Sequence, residues 1–151
     1  MRALGLDVGE RRVGVALSDE LGLLAAPLTT VPVRGRVEGA LERLAALARE
    51  RGAEVVVIGL PVGLNGREGP QARAVRAFAE RLAPLLDVPI EFWDERFTTT
   101  EAERLLLERG LSREERRARI DAAAAAIMLQ GYVDAKRPRP PRRDDHDDHE
   151  G

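Results

Sequence analysis

Residues 54–61, Glu-Val-Val-Val-Ile-Gly-Leu-Pro, form an apolar run that constrains the fold more than any other stretch of the chain. A strand that is apolar on both sides is typical of a parallel sheet whose two faces are covered by helices. Apolar residues at helical spacing precede it over 37–51, where Gly52 fits a helix C-cap, and helical spacing resumes after Gln71. The sequence therefore predicts a central parallel strand between two helices.

Three strand-like segments come before this unit, over 2–8, 11–19 and 23–33. A tight turn at Gly9 brings the second segment back antiparallel to the first. Pro27 and Pro32 place the third segment at an edge of the sheet, because proline donates no ladder hydrogen bond. Together with the later units, they predict an α/β fold with a mixed five-stranded sheet. Its three antiparallel strands are followed by βαβα, with the first strand central and helices packed on the faces.

The C-terminal half supplies the fifth strand and the remaining helices. We predict a strand over 88–96, a helix from about 99 to 110, a charged turn or helix over 113–119 and a long helix over 120–133. From Lys136 onward the chain has prolines and charges but almost no apolar residues, so it cannot offset its ordering entropy. We therefore expect one domain over 1–135 and a disordered charged tail over 136–151.

Composition excludes several kinds of chemistry. The 151 residues include no cysteine and only two histidines, both in the tail, which excludes disulfides, thiol nucleophiles and Ser-His catalysis. The net charge of -2 gives no global basic footprint, so any nucleic-acid surface must be local. No apolar run is long enough to span a membrane, and a cytoplasmic protein is expected. The remaining chemistry belongs to carboxylates, arginines, hydroxyls and metal ions.

Carboxylates stand at three places where the predicted elements begin or end. Asp7 lies in the apolar first strand, where burial is costly unless the carboxylate accepts turn hydrogen bonds or binds a ligand. Asp94 and Glu95 end the fifth strand, where a helix cap and a surface pair with Arg96 are the structural alternatives. Asp121 begins the last helix, where the helix dipole alone favours an acid. Structural and metal-binding roles both remain open at this point.

The loop after the central strand is the other candidate for a functional element. Residues 62–70 contain three glycines, an Asn-Gly turn signal and Arg67, and they lead into a predicted helix. Loops at the carboxyl ends of parallel strands bind ligands in open α/β sheets, and Gly-rich backbone before a helix binds anions. A long surface connection is the structural alternative, although nine residues exceed the usual length of about 2 to 6.

Several short motifs, taken in this order, resemble those of the YqgF family, also called RuvX. They are residues 5–9 with 12–16, 58–61 with 65–66, 94–99, and 121–125. They extend over roughly residues 4 to 133, and their combination is specific although each motif alone is weak. The resemblance implies a ribonuclease H-like fold and a metal-dependent phosphodiesterase.

The same resemblance implies a substrate and a set of site residues. The family is described both as pre-16S rRNA nucleases, which implies processing at the 5′ end of the rRNA, and as Holliday junction resolvases. Asp7, Glu95 and Asp121 would be catalytic and would bind Mg²⁺ or Mn²⁺, with Asp94 as the alternative to Glu95. A resolvase acting on two symmetric strands would be a homodimer, and otherwise a monomer is expected. The implied substrate contacts are Arg67, Arg73, Arg96, Thr98 and Thr99.

The sequence departs from the pattern of related resolvases at one position, and two other functional classes are considered. Related resolvases of the RuvC type carry an acid at the end of the fourth strand, where this chain has Gly59-Leu60-Pro61. This departure implies weak metal binding or metal binding that needs nucleic acid, and it favours a second class, a nucleic-acid-binding factor with little or no catalysis. Sugar-kinase or actin-like ATPases share an Asp-x-Gly after the first strand, but they need two subdomains and this chain supplies one.

Overall fold

The computed structural model describes residues 1–63, 66–94 and 113–136, and for 113–119 it describes the backbone alone. The predicted helix over 99–110 and the tail beyond Lys136 lie outside the described residues. Four predicted site residues also lie outside them: Glu95, Arg96, Thr98 and Thr99.

Five strands form one sheet: β1 (Ala3–Val8), β2 (Arg12–Ser18), β3 (Ala25–Pro32), β4 (Val55–Leu60) and β5 (Ile90–Asp94). Their order is β3-β2-β1-β4-β5. The pairs β1–β2 and β2–β3 are antiparallel, whereas β1–β4 and β4–β5 are parallel. The predicted mixed sheet and the central position of the first strand are therefore confirmed.

The third strand lies at an edge, as its prolines predict. Pro27 pairs with Ala16 at the point where the register of β2 and β3 shifts, between Val15 and Ala16. Prolines in sheets are confined to edges and bulges because they lack the N–H that a ladder requires. The strand is shorter than the predicted 23–33, because Asp19 accepts the backbone N–H groups of Leu23 and Leu24 and holds them in the turn.

Within the described ranges, three α-helices accompany the sheet: α1 (Val37–Glu50), α2 (Pro70–Leu82) and α3 (Arg113–Lys136). A 3₁₀ turn over Ala83–Leu85 extends the second helix. The prediction of separate segments over 113–119 and 120–133 is wrong, because one continuous helix covers both. The stretch from 113 to 130 contains no proline or glycine and is rich in Ala, Arg and Glu, which all favour the helix strongly.

Alternation along the strands divides the core into two layers. Leu4, Leu6 and the matching residues of β2 and β4 pack against α1 and α2. Ala3 of β1, Ala16 of β2 and Val57 of β4 belong to the layer that α3 covers. Since successive side chains of a strand point to opposite faces, Asp7 shares its face with Ala3 and lies on the side of α3.

The last helix lies very close to the centre of the sheet. A Cβ built on Gly5 would lie 3.0 Å from the Cβ of Leu129, and one built on Gly14 would overlap the backbone carbonyl of Asp121. On the helix side, Ala124 and Ala125 are almost completely buried. The close approach of the alanine-rich helix therefore depends on missing side chains on both surfaces.

The other end of α3 is anchored to β5. The hydroxyl of Tyr132 donates a hydrogen bond to Glu91, and the Trp93 ring meets the Tyr132 ring edge-on at a centroid distance of 5.9 Å. Burial raises the pKa of the Tyr132 hydroxyl, and the bond to Glu91 raises it further. Because the phenol therefore stays protonated, the contact persists over the physiological pH range.

We predict that Gly14→Ala lowers the free energy of unfolding by about 2 kcal/mol or more, since the new methyl meets a backbone carbonyl that cannot rotate away. Gly39→Ala, in the exposed face of α1 with no atom within 4 Å of its Cβ position, is the control. It should be neutral or stabilising by up to about 1 kcal/mol. Urea unfolding of both variants tests this, and equal stability of the two would contradict the close contact.

Candidate functional site

The structure brings two of the predicted carboxylates together. Asp7 of β1 pairs with Gly14 of β2, and it is the backbone of Asp121 that lies against Gly14. Paired residues of antiparallel strands have Cα atoms about 4.5 to 5.5 Å apart. Both aspartates therefore lie on the α3 side of the sheet, near the carboxyl end of its central strand, and both are partly exposed.

An arginine that the sequence analysis did not single out completes this cluster. The Nε atom of Arg12 lies 2.5 Å from Oδ2 of Asp121, and the two side chains are 26% and 29% exposed. Arg12 opens β2, and it shares the face of Gly14 because it is two residues away along the strand. The alternation of side chains along the second strand could have placed Arg12 on this face. To place Arg12 near Asp7 as well, the pairing register of the first two strands had to be known, and the sequence does not give it.

Strand alternation distinguishes Asp94 from its neighbour. Phe92, two residues before Asp94, belongs to the core layer of α1 and α2, whereas Trp93 packs with the α3 layer. Asp94 therefore projects on the side away from Asp7, and it is exposed. Glu95 lies outside the described residues.

The chemistry of the cluster suits a hard divalent cation. Mg²⁺ is bound through carboxylate oxygens together with substrate phosphate oxygens, and Asp7 and Asp121 offer such oxygens on one face. A positively charged group, the Arg12 guanidinium, already contacts one of these carboxylates. Within residues 1–63, 66–94 and 113–136, no group of three or more acidic or histidine side chains is arranged to hold a metal ion. A complete ligand set would therefore need a further ligand.

The Gly-rich loop forms a small hairpin at the carboxyl end of β4. Val62 pairs with Glu68, the N–H of Gly63 binds the carbonyl of Arg67, and Gly66 adopts a positive φ of 78°. Hydrogen bonds from Arg76 lower the pKa of the Glu68 carboxyl and fasten the loop to α2. Because β1 and β4 are parallel, this loop lies at the same edge of the sheet as Asp7.

Several exposed arginines lie at that edge. Three of them, Arg11, Arg34 and Arg36, were not predicted as site residues, and they lie where β2 begins and where β3 leads into α1. Arg73 lies in the first turn of α2, and Arg67 lies in the loop before it. Among the residues that the structure describes, Arg11, Arg34, Arg36 and Arg73 form no ion pair, unlike Arg76 and Arg81. Their charges are available to an anionic partner.

A cleft of about 470 Å³ opens at the same edge but on the opposite face of the sheet. It lies between the N-terminal ends of α1 and α2, and its walls are mainly apolar. Val8, which alternates with Asp7 along β1, is one of its lining residues. The cleft is therefore separated from the carboxylates by the thickness of the sheet.

Comparison with known protein families shows to which family this chain belongs. A family model described as "RuvX: Holliday junction resolvase" matches residues 1–135. The chain belongs to the RuvX family. The resemblance read from the sequence motifs is confirmed, and the match extends over the whole predicted domain.

Relatives of similar length share about half of their residues with this chain. A protein of Symbiobacterium thermophilum is 52% identical over 141 residues, which cover 93% of this chain and 97% of the relative. A protein of Moorella thermoacetica is 52% identical over 134 residues, covering 89% and 95%. Both carry the name "Putative pre-16S rRNA nuclease".

Solved structures confirm the ribonuclease H-like fold. RuvC of Thermus thermophilus in complex with a Holliday junction substrate matches with a TM-score of 0.55 and 18% identity, covering 90% of this chain and 95% of that one. A second structure of Thermus thermophilus RuvC gives 0.51 and 17%, covering 90% and 96%. In the described part of this chain, no helix is both long and apolar enough to cross a membrane.

A double-mutant cycle over Arg12→Gln and Asp121→Asn should reveal a coupling free energy of about 1 kcal/mol, because the pair is close and partly shielded from solvent. The matched pair Arg81–Glu38 has a similar distance of 2.6 Å, but its side chains are 52% and 57% exposed. Its coupling should be weaker, because solvent screens both side chains. Equal couplings in urea unfolding would argue against a shielded pair.

Proposed function

We propose that this RuvX protein is a metal-dependent endonuclease whose active site is built on Asp7 and Asp121. The observation that carries the proposal is the convergence of these two carboxylates on one face of a ribonuclease H-like sheet, at the carboxyl end of its central strand. The family match over 1–135 supports a single nuclease domain of that extent. The names of the relatives support the reaction class.

Asp7 and Asp121 would hold Mg²⁺, or Mn²⁺ in its place. When bound, such cations supply the Lewis acidity that activates an attacking water and stabilises the leaving oxygen of a phosphodiester. The chain itself orients the two carboxylates. The central strand β1 fixes the position of Asp7, and the packing of α3 against Gly14 fixes Asp121 beside it. Rigid elements on both sides keep the ligand geometry that catalysis requires.

We propose Glu95 rather than Asp94 as the third ligand. The support comes from β5, where Trp93 packs with the α3 layer and Asp94 follows on the other side. An extended chain returns to the face of Trp93 at residue 95. Arg96, Thr98 and Thr99, which follow directly, remain proposed substrate contacts, together with Arg67 and Arg73.

For the substrate, we propose the precursor of 16S rRNA, on the strength of the relatives' names. Cleavage in 5′-end processing is what the family resemblance implies. The exposed arginines at the carboxyl edge fit a phosphodiester backbone, because a planar guanidinium binds phosphate oxygens in pairs. Branched DNA is the second candidate, favoured by the family description and by the junction bound to the RuvC of similar fold.

We predict that Asp7→Asn abolishes Mg²⁺- or Mn²⁺-dependent cleavage of both RNA precursor and four-way junction DNA. The rate should fall at least about a hundredfold, because bound cations contribute several kcal/mol and each 1.4 kcal/mol is about tenfold. Circular dichroism and thermal unfolding should show the native fold. Gel assays with both substrates in parallel also decide which nucleic acid is cleaved.

The control for this variant is Asp87→Asn, an exposed carboxylate before β5 that takes no part in the proposed site. It should retain wild-type activity. Undiminished cleavage by Asp7→Asn, or equal loss in both variants, would contradict the assignment of the site. A wild-type protein that binds both substrates without cutting either would favour the non-catalytic binding class.

We predict that Arg73→Ala weakens nucleic-acid binding and lowers the slope of log K against log salt by about 1, as expected for one lost phosphate contact. Arg49→Ala is the matched control, since Arg49 is also exposed and forms no ion pair within the described chain, but lies at the C-terminal end of α1. Its binding and salt slope should be unchanged. Fluorescence anisotropy with Asp7→Asn as the background avoids cleavage during the titration.

A further inference from the structure

The guanidinium of Arg12 occupies a carboxylate that the proposed function assigns to a metal ion. Its Nε atom contacts Oδ2 of Asp121 at 2.5 Å, on the same face of the sheet as Asp7. The guanidinium carries a positive charge that pairs with this carboxylate. Asp121 is thus neutralised by a cation that belongs to the chain itself.

Arg12 is held at this place by its backbone. The carbonyl of Arg12 accepts a hydrogen bond from the N–H of Gly9 at 3.0 Å, and a Cβ at Gly9 would lie only 2.8 Å from that carbonyl. The backbone of Arg12 is therefore fixed beside the end of β1, whereas its long side chain retains several rotatable bonds. The guanidinium can change partner without any movement of the sheet.

We propose that Arg12 is an exchangeable counter-cation of the active site, which leaves Asp121 when a divalent cation binds and then contacts the substrate phosphate. This inference rests on the proposed function. A guanidinium and a divalent cation on one carboxylate in a partly shielded site repel each other, so binding of a divalent cation favours the release of Asp121 by Arg12. A released guanidinium beside the site is suited to bind phosphate through its planar fork.

The exchange couples the metal to the nucleic acid. A phosphate that binds Arg12 draws it from Asp121, and so raises the affinity of the carboxylates for the cation. By reciprocity, the cation raises the affinity for the phosphate by the same factor. The lack of an acid at Gly59-Leu60-Pro61 makes this coupling more important, because fewer carboxylates are left to bind the metal while Arg12 holds Asp121.

The proposal predicts opposite effects of one substitution. In Arg12→Gln, Mn²⁺ should bind about fivefold more tightly in the absence of nucleic acid, because the competing ion pair of roughly 1 kcal/mol is lost. Nucleic-acid cleavage should fall, through a higher KM, because the phosphate contact is lost. A purely structural arginine would weaken both properties together.

Isothermal titration with MnCl₂, on the full-length protein without nucleic acid, measures the first effect in wild type, Arg12→Gln and Arg12→Lys. Lysine retains the charge, so its Mn²⁺ affinity should stay near that of wild type. Arg81→Gln, which breaks the remote pair with Glu38, should change neither Mn²⁺ affinity nor cleavage. Thermal unfolding with and without MnCl₂ gives a second readout, with the largest metal-induced rise in Tm expected for Arg12→Gln.

The outcomes separate this inference from the proposed function. Equal or weaker Mn²⁺ binding by folded Arg12→Gln, with cleavage intact in wild type, would overturn the role of Arg12 alone. An absence of both Mn²⁺ binding and metal-dependent cleavage in every protein would overturn the proposed function. Tighter Mn²⁺ binding with impaired cleavage in Arg12→Gln, and near-normal metal affinity in Arg12→Lys, would support the exchange.

Discussion

The close packing of α3 against the middle of the sheet determines where the candidate site can form. Helices usually stand off a sheet by the length of their side chains, but here Gly5 and Gly14 offer no side chain and the helix presents alanines. Close packing of small residues gives many dispersion contacts. Because it leaves no free space, a larger side chain at these positions would be destabilising. It also brings a helix backbone to the strand that pairs with β1, which puts Asp121 beside Asp7.

Two acidic groups on one apolar face would repel each other unless a positive charge lies between or beside them. Arg12 supplies that charge from the adjacent strand, through a turn so tight that Gly9 has no room for a side chain. Arg11, Arg34, Arg36 and Arg73 at this edge are exposed and differ in lacking acidic partners within the described chain. The edge therefore combines a carboxylate pair, of which Arg12 neutralises Asp121, with unneutralised cations around it, which suits an anionic polymer.

The sequence alone predicted the sheet, its central strand and its edge strand, because alternation, prolines and an apolar run report directly on strand position. It also predicted Asp7 and Asp121 as site residues, through motifs with a known family. It did not identify Arg12, Arg11, Arg34 or Arg36, because their proximity to the site depends on the register of strands distant in sequence. The sequence also did not show that residues 113–119 belong to the last helix, because a strongly charged segment is compatible with a turn as well as with a helix.

The fourth strand shows why an arginine is useful in this site. Position 59 lies one residue beyond the Leu6–Ile58 pair, at the level of Asp7, and it pairs with Trp93. Leu60 faces the other core layer, so glycine at 59 is the only residue of β4 that could have placed an acid beside Asp7. Without that acid, a cation must take more of its ligands from substrate phosphate. Under the proposed exchange, the Arg12–Asp121 pair would keep metal affinity low until a phosphate arrives and would so tie metal loading to the substrate.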